Sequence, residues 1–282
     1  MPTHTPQRLG VDIEIYEFQQ TRGPIRHAVF DFDGTLSLIR AGWQDVMLGL
    51  CVEELVKIPA TEDRNNLTRI CNDFITQLTG RQTIYQMMRL TEEIAQRGGV
   101  PLDPLDYKWQ YLKRLQTKIA HRLADLKQGA EKDAYQVCGS TELLDDLAHR
   151  GTICYLASGT DEQFVISEAK LLGLGHYFAD RIYGARDDYR SFSKQMLLER
   201  IRAEHDVRED EMAVFGDGYV EIECARSVGG IAVGIASLET GERGWDVWKK
   251  ERLLAAGAQI LVPDWRESAL LMSYLCGEIH VG

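Results

Sequence analysis

The sequence predicts an α/β protein: a mostly parallel sheet covered by helices on both faces, interrupted by an all-helical insertion. Three observations predict it. The short apolar run "RHAVFDF" (26–32) reads as a buried strand. From about 38 to 134 no strand alternation appears, and helical patterns dominate. From 141 onward, strand-like and helix-like segments alternate, the rhythm of a parallel sheet with covered faces. On this reading residues 1–37 and 135–282 form the core, and residues 38–134 form a separate helical module.

Taken in order, "VDIEIYEF" (11–18) alternates roughly and reads as a strand ahead of the main one. The helical stretches are "GWQDVMLGLCVEELVK", "NNLTRICNDFITQLT", "RQTIYQMMRLTEEIAQR" and "DYKWQYLKRLQTKIAHRLADLKQ", with breaks near Pro59, Gly80 and "GGVPLDP" (98–104). Trp109, inside the last stretch, is expected in the core. His27 reads as structural, and His121 and His149 as helix-face residues. "TELLDDLAHRG" is a helix with a glycine stop, "TICYLASG" (152–159) a strand and "DEQFVISEAKLLGL" a helix. "FADRIYGA" contains a short strand, and "SFSKQMLLERIRAEH" is a helix capped by Ser191 or Ser193. "EMAVFGDG" (211–218) and "GGIAVGIAS" (229–237) are strands; "GWDVWKKERLLAAGA", "QILVP" and "WRESALLMSYL" complete the pattern as helix, strand and helix.

The net charge of −11 argues against nucleic acid polymers and anionic membranes as partners, because both want a basic surface. A small phosphate ester bound locally stays open. The six cysteines show no CxxC spacing and are expected as buried thiols rather than a zinc site or disulfide framework. The segment "MPTHTPQRLG" has no apolar leader run, and no apolar run of membrane-spanning length occurs, so the expected location is cytoplasmic.

In a parallel sheet, ligands gather outside the carboxyl ends of the strands. Asp31, Asp33, Ser158 and Asp217 fall at such ends. Together with Glu221, the aspartates concentrate negative charge that needs a partner. Oxygen donors without histidine or thiolate favour Mg2+ over zinc. Asp31 can attack phosphorus as a carboxylate, and Asp33, on the same side two residues later, can protonate a leaving alcohol and then deprotonate water. Ser158 can donate its hydroxyl to a phosphate, and Gly159-Thr160 leaves backbone N–H groups near a helix start. Lys194 can reach an anionic site with its stem. Asp217 suits a metal, and Glu221, one helical turn on, can orient Lys194 or hold a metal-bound water. Each residue alone also has a plain reading as a turn or solvated surface residue; the joint order carries the signal.

The set "VFDFDGTL", "YLASG", Lys194 and "VFGDGYVE" resembles the haloacid dehalogenase-like hydrolase superfamily over about residues 25–262. The resemblance is to its phosphatase branch, with a helical cap inserted after the first motif, as in phosphoglycolate phosphatases and β-phosphoglucomutases. It implies a Rossmann-like three-layer core. It also implies that Asp31 is the nucleophile, Asp33 the general acid/base and, through its backbone carbonyl, a Mg2+ ligand. Ser158 and Gly159 would hold phosphate, Lys194 would steady nucleophile and phosphoryl group, and Asp217 would bind the metal. Thr35 would support the first turn. The chain departs from the family's pattern at three points: Glu221 stands where the fourth motif often has Asp, Gly159 where Asn or Asp is common, and Gln195 where proline is common after the lysine. Lys170 is the competing third-motif lysine.

Because the resemblance implies that Asp33 is kept by ester phosphatases and phosphomutases, the expected reaction is phosphomonoester hydrolysis on a small phosphorylated metabolite. A sugar phosphomutase is the alternative, and a non-catalytic binding or scaffold protein the reading from a different class. Arg40, Trp43 and Arg81 are the candidates for substrate specificity. Their plain alternatives are a hinge arginine, a core tryptophan and a solvated helix-start arginine.

Overall fold

The computed structural model describes residues 5–17, 23–59 and 62–280. Residues 1–4 of the amino-terminal segment read above, and Phe18 of the first expected strand, lie outside the described residues. In chain order the elements are β1 (Gln7–Leu9), β2 (Ile13–Ile15), β3 (His27–Phe30), α1 (Trp43–Val56), α2 (Arg64–Gln77), α3 (Thr83–Gln96) and α4 (Pro104–Lys127). There follow α5 (Ser140–His149), β4 (Ile153–Asp161), α6 (Glu162–Leu171), α7 (Gly175–Phe178), β5 (Ile182–Ala185), α8 (Lys194–His205) and β6 (Met212–Gly216). The chain ends with α9 (Tyr219–Ser227), β7 (Ile231–Ile235), α10 (Val247–Ala255), β8 (Ile260–Val262) and α11 (Ser268–Leu275).

The eight strands form one sheet in the order β1-β2-β8-β7-β6-β3-β4-β5. All pairs from β8 to β5 are parallel, and only the β1–β2 hairpin joins antiparallel. The chain is thus an α/β protein with a Rossmann-like layered core. The segment 11–18 was expected as one strand; instead Gly10, at φ +66°, lies in the turn of a hairpin, so only Ile13–Ile15 of that segment pairs, with β1 on one side and β8 on the other.

β3 sits between β4 and β6, in register His27↔Ile153 and His27↔Met212. Its four residues are all buried, which explains the unbroken apolar run. Alternate residues feed opposite faces. Ala28 and Phe30 join one core, where Phe30 stacks on Phe215 at 4.5 Å between centroids, and Val29 joins the other with Tyr155 and Val214.

The helices α1–α4 lie between β3 and β4 in sequence. Asp63 caps α2 by accepting from the Asn65 and Asn66 N–H groups, Asp103 caps α4 by accepting from the Leu105 N–H, and Pro104 opens α4. Their shared interior includes Leu50, Cys51, Cys71, Met87, Leu90, Leu115 and Ile119. Trp109, expected in that interior, is 44% exposed. The buried stripe of α4 runs through Tyr107, Lys108, Tyr111, Leu112 and Leu115, and position 109 points about 200° away from 107. Four cysteines are buried as expected, but Cys138 is exposed in the turn before α5, where Arg266 Nε donates to its sulfur at 3.2 Å, and Cys276 is half-buried. Among the described residues, no helix is long and apolar enough to cross a membrane.

Candidate active site

The carboxyl ends of β3, β4 and β6 meet at one edge of the sheet. The ladder to β6 runs one residue beyond β3, because the Asp31 N–H donates to the Phe215 carbonyl at 2.9 Å. That bond fixes the Asp31 side chain at the sheet rim, where it is buried. Lys194 opens α8 behind the Ser193 cap, whose side chain accepts from Met196 N–H. Its Nζ lies 2.5 Å from Asp31 Oδ1 and also donates to Glu221 Oε1. A lysine at a helix start meets the unfavourable end of the dipole. Here burial also opposes its charge, but Asp31 and Glu221 outweigh this and hold its pKa above the ordinary value. Burial pushes Asp31 up to about 6, and Lys194 holds it back from rising further. The competing Lys170 is exposed on the last turn of α6.

After Asp31 the chain turns sharply. Gly34 has φ +79°, and a Cβ there would stand 2.1 Å from Asp217 Oδ2, so only glycine fits. Thr35 Oγ1 accepts from the Asp217 N–H at 3.1 Å, Ser237 Oγ donates to the Gly34 carbonyl at 2.7 Å, and Trp265 Nε1 donates to the Thr35 carbonyl at 2.8 Å. The turn is therefore tied to the segments that follow β6, β7 and β8. It presents Asp33, whose Oδ2 accepts from Thr160 Oγ1 at 2.8 Å. Among the described residues Asp33 Oδ1 has no hydrogen-bond partner, and Arg40 Nε stands 4.0 Å from it. Burial pushes the Asp33 carboxyl up to about 7, against the pull of Arg40. Arg40 lines the cleft, yet it is buried and gives Nε and Nη2 to Glu168 at 3.0 and 2.7 Å.

Asp217 follows β6 and faces the same edge. Lys249 of α10 places Nζ 2.8 Å from Asp217 Oδ2 and 3.1 Å from Glu239 Oε1. Burial pushes Asp217 up to about 6; Lys249 opposes this and the Asp31 charge adds to it. The Asp31 charge raises the proton affinity of Asp217, and the two carboxylates with the Asp33 backbone carbonyl offer an all-oxygen donor set. Mg2+ is commonly held by one or two carboxylates and several waters, so these residues fit it. Among the described residues, no group of three or more His, Cys, Asp or Glu side chains gathers as a metal cluster.

Ser158 and Gly159 lie near the end of β4. Ser158 Oγ accepts from Thr160 N–H at 3.0 Å, which leaves its own proton to donate. Gly159 explains one departure from the expected pattern. A Cβ there would meet the Arg81 carbonyl oxygen at 2.6 Å, because the loop between α2 and α3 rests on it. The same loop reaches the start of α9: a Cβ on Gly218 would lie 3.6 Å from Gly80 Cα. The helical insertion thus comes down on the strand ends of the core. The cleft so enclosed has a volume of about 80 Å³, and its lining includes Asp31, Asp33, Ser158, Lys194 and Asp217. Trp43 and Arg81 also line it, so all three specificity candidates border the cleft.

Sequence reading named Thr160 only for its backbone N–H and missed its hydroxyl bond to Asp33, and it missed Glu168, Lys249, Trp248 and Arg252 altogether. Thr160 was within reach of it, two residues past Ser158 on the same strand. Glu168 gave no signal, because it is one carboxylate among many on an ordinary helical pattern. Trp248, Lys249 and Arg252 share a basic-aromatic face at i, i+1 and i+4 that looks like any amphipathic helix until its place beside Asp217 is known.

A family model described as haloacid dehalogenase-like hydrolase matches residues 25–229. No curated relative matches the chain. Among solved structures, the chain is similar to a predicted phosphatase from Clostridium acetobutylicum at 17% identity, covering 90% of this chain and 100% of that one, with a TM-score of 0.56. It is similar to a haloacid dehalogenase-like hydrolase from Streptococcus pneumoniae at 15% identity, covering 89% and 98%, with a TM-score of 0.55. A third is a hydrolase from Deinococcus radiodurans R1 with bound phosphate and sodium, at 14% identity, covering 90% and 97%, with a TM-score of 0.51. At these identities the likeness is one of fold.

Proposed function

The chain belongs to the haloacid dehalogenase-like hydrolase family, and on that premise we propose that it is a magnesium-dependent phosphomonoester hydrolase acting on a small phosphorylated metabolite. One observation carries the reading: at a single sheet rim, Asp31 is gripped by Lys194 while Asp33 is held by Thr160 and has one buried oxygen without a partner. A nucleophile needs a fixed, charged carboxylate. An acid needs a neighbour that stays protonated near neutrality, and burial of Asp33 favours that state.

In this reading Asp31 attacks phosphorus, forming an Asp31–phosphorus bond as the ester oxygen departs with a proton from Asp33. Asp33, now a carboxylate, takes a proton from water as that water breaks the aspartyl-phosphate. Inorganic phosphate leaves, and both aspartates return to their starting states. Lys194 neutralises Asp31 before and during attack, with Glu221 holding the ammonium in place. The Ser158 hydroxyl and the N–H groups at Gly159 and Thr160 receive the phosphoryl oxygens. Asp31, Asp217 and the Asp33 carbonyl would hold Mg2+, which supplies charge neutralisation where two anions meet. The helices of residues 38–134 act as a cap, a role supported by the Gly80-Arg81 backbone lying on Gly159. We read the setting as cytoplasmic, where six free thiols are at home.

The test is a screen of phosphorylated metabolites with Mg2+, with Asp31→Asn as the blank. Phosphate release that is lost without Mg2+ and in the variant is expected. Undiminished release by Asp31→Asn overturns the reading.

A further inference from the structure

The cleft wall nearest Asp217 is built by α10, which lies beyond the residues that the family model matches. It contributes Trp248, Lys249 and Arg252. Three of the cations lining the cleft have carboxylate partners. Lys194 has Asp31 and Glu221, Lys249 has Asp217 and Glu239, and Arg40 has Glu168. Arg81 is exposed, so water solvates its charge.

Arg252 is different. It is half-buried, and burial lowers its pKa from the ordinary arginine value. Its guanidinium carbon lies 4.5 Å from the Trp248 ring centroid and 5.4 Å from that of Tyr219, both cleft residues. Among the described residues, its one hydrogen-bond partner is the Thr76 carbonyl, at 2.5 Å from Nη2. A guanidinium carries five N–H donors in a plane. Two aromatic rings lie beside this one; among the described residues no carboxylate forms an ion pair with it, the Asp217 charge acts on it only from farther off, and most of its donors remain unspent. A half-desolvated cation of this kind is stabilised by an anion arriving from the cleft, and Arg is the residue suited to bidentate capture of a carboxylate or phosphate.

We propose that Arg252, flanked by Trp248 and Tyr219, binds a second anionic group on the substrate, so that the preferred ester carries a carboxylate or a second phosphate besides the phosphate held at Asp31. This rests on the phosphatase reading for the position of the reacting phosphate. The flanking rings exclude water from the contact and fix the plane of the fork. The Thr76 bond holds the guanidinium at the cleft wall, at the end of α2 that leads into the Gly80 loop.

The test compares matched phosphomonoesters with a neutral tail, a carboxylate tail and a phosphate tail, using wild type, Arg252→Gln and Arg252→Lys. Wild type is expected to favour one doubly anionic ester in kcat/KM, and which tail wins identifies the anion. Arg252→Gln should reduce that preference about 10- to 100-fold, mostly through KM, as loss of a charge-assisted hydrogen bond implies. Arg252→Lys should restore part of it. If Arg252→Gln lowers all the esters by one common factor, Arg252 only fastens α2, and the proposal falls. Calorimetry keeps the two readings apart. Asp31→Asn protein with and without Arg252→Gln is titrated with methylphosphonate, phosphonoacetate and methylenediphosphonate. A preference for a doubly anionic probe that Arg252→Gln removes supports the subsite even where no ester is hydrolysed, an outcome that would reject the phosphatase reading alone. Equal affinities for all three probes, unaffected by Arg252→Gln, reject the subsite even where ester hydrolysis is found.

Discussion

Lys194 Nζ and Asp31 Oδ1 lie 2.5 Å apart, although 163 residues separate them in the chain. The pair joins the first helix position of α8 to the rim of β3, and both side chains are buried. Removing one partner leaves the other as an uncompensated buried charge. Lys194→Met should therefore cost about 3–5 kcal/mol of stability, the range for breaking a buried pair, and abolish phosphate release. Urea denaturation and a phosphate assay check both. A fully stable variant would show that Glu221 and Asp31 find other solvation.

Asp33→Asn keeps the shape of the side chain and removes the proton that the proposed mechanism has it donate. The loss should depend on the leaving group. For alkyl phosphates it should be about 10²–10⁴-fold, the usual range for general acid catalysis, and for p-nitrophenyl phosphate clearly smaller, because that leaving group departs without a proton. A loss equal for both ester classes would assign Asp33 to binding instead.

Gly159→Ala puts a methyl group 2.6 Å from the Arg81 backbone oxygen. The loop must retreat, since a backbone atom cannot rotate out of the way. The variant should fold normally, show a raised KM and exchange amide hydrogens faster at 79–82. Unchanged exchange in that loop would mean that the contact is not kept in solution.

Lys249→Met strips Asp217 of the cation 2.8 Å away. The protein should lose stability in the absence of metal, and Mg2+ should raise its Tm by more than it raises that of wild type, because a more negative site gains more from a dication. Differential scanning fluorimetry across a Mg2+ titration reads this directly. An equal shift in both proteins would place the metal away from Asp217.

His27 is buried at the start of β3, where its Nδ1 lies 3.2 Å from the Tyr155 hydroxyl. Burial, and then the nearby His205, lower its pKa below the ordinary 6.5. The unfolded chain thus takes up a proton at a pH where the folded chain does not. This contribution to stability is complete above about 6.5, the unfolded value, and falls as pH drops toward the lowered folded value. His27→Gln should flatten the decline in urea midpoint between pH 7.5 and pH 5. An unchanged slope would assign the acid sensitivity to other groups.

Much of the fold was legible because its signals are local. The unbroken apolar β3, the glycine stop at Gly151 and the acidic strand ends needed only neighbours in sequence to be read. The helical insertion was visible by the absence of alternation. Residues whose meaning depends on a distant partner stayed hidden. Arg40 was read as a substrate contact, and it does line the cleft, but its pairing with Glu168, far along the chain, could not be read from its neighbours in sequence. Gly159 looked like a lost side chain, whereas the space belongs to the backbone at Arg81. The segment 11–18 was read as one strand and its β1 partner, Gln7–Leu9, was not seen, because alternation over a few residues does not say where a ribbon folds back.

That hairpin has a consequence for the molecule's life in a crowded solution. Ending the parallel ladder at β8 would leave an open row of donors and acceptors able to recruit another chain. β2 covers that row, and β1, three residues long with Gln7 and Arg8 turned to solvent, ends it too briefly to template growth. The hairpin of Gln7–Leu9 and Ile13–Ile15 therefore serves as a built-in terminator of strand addition, and removing it should open the β8 edge to pairing with another chain, which light scattering would read.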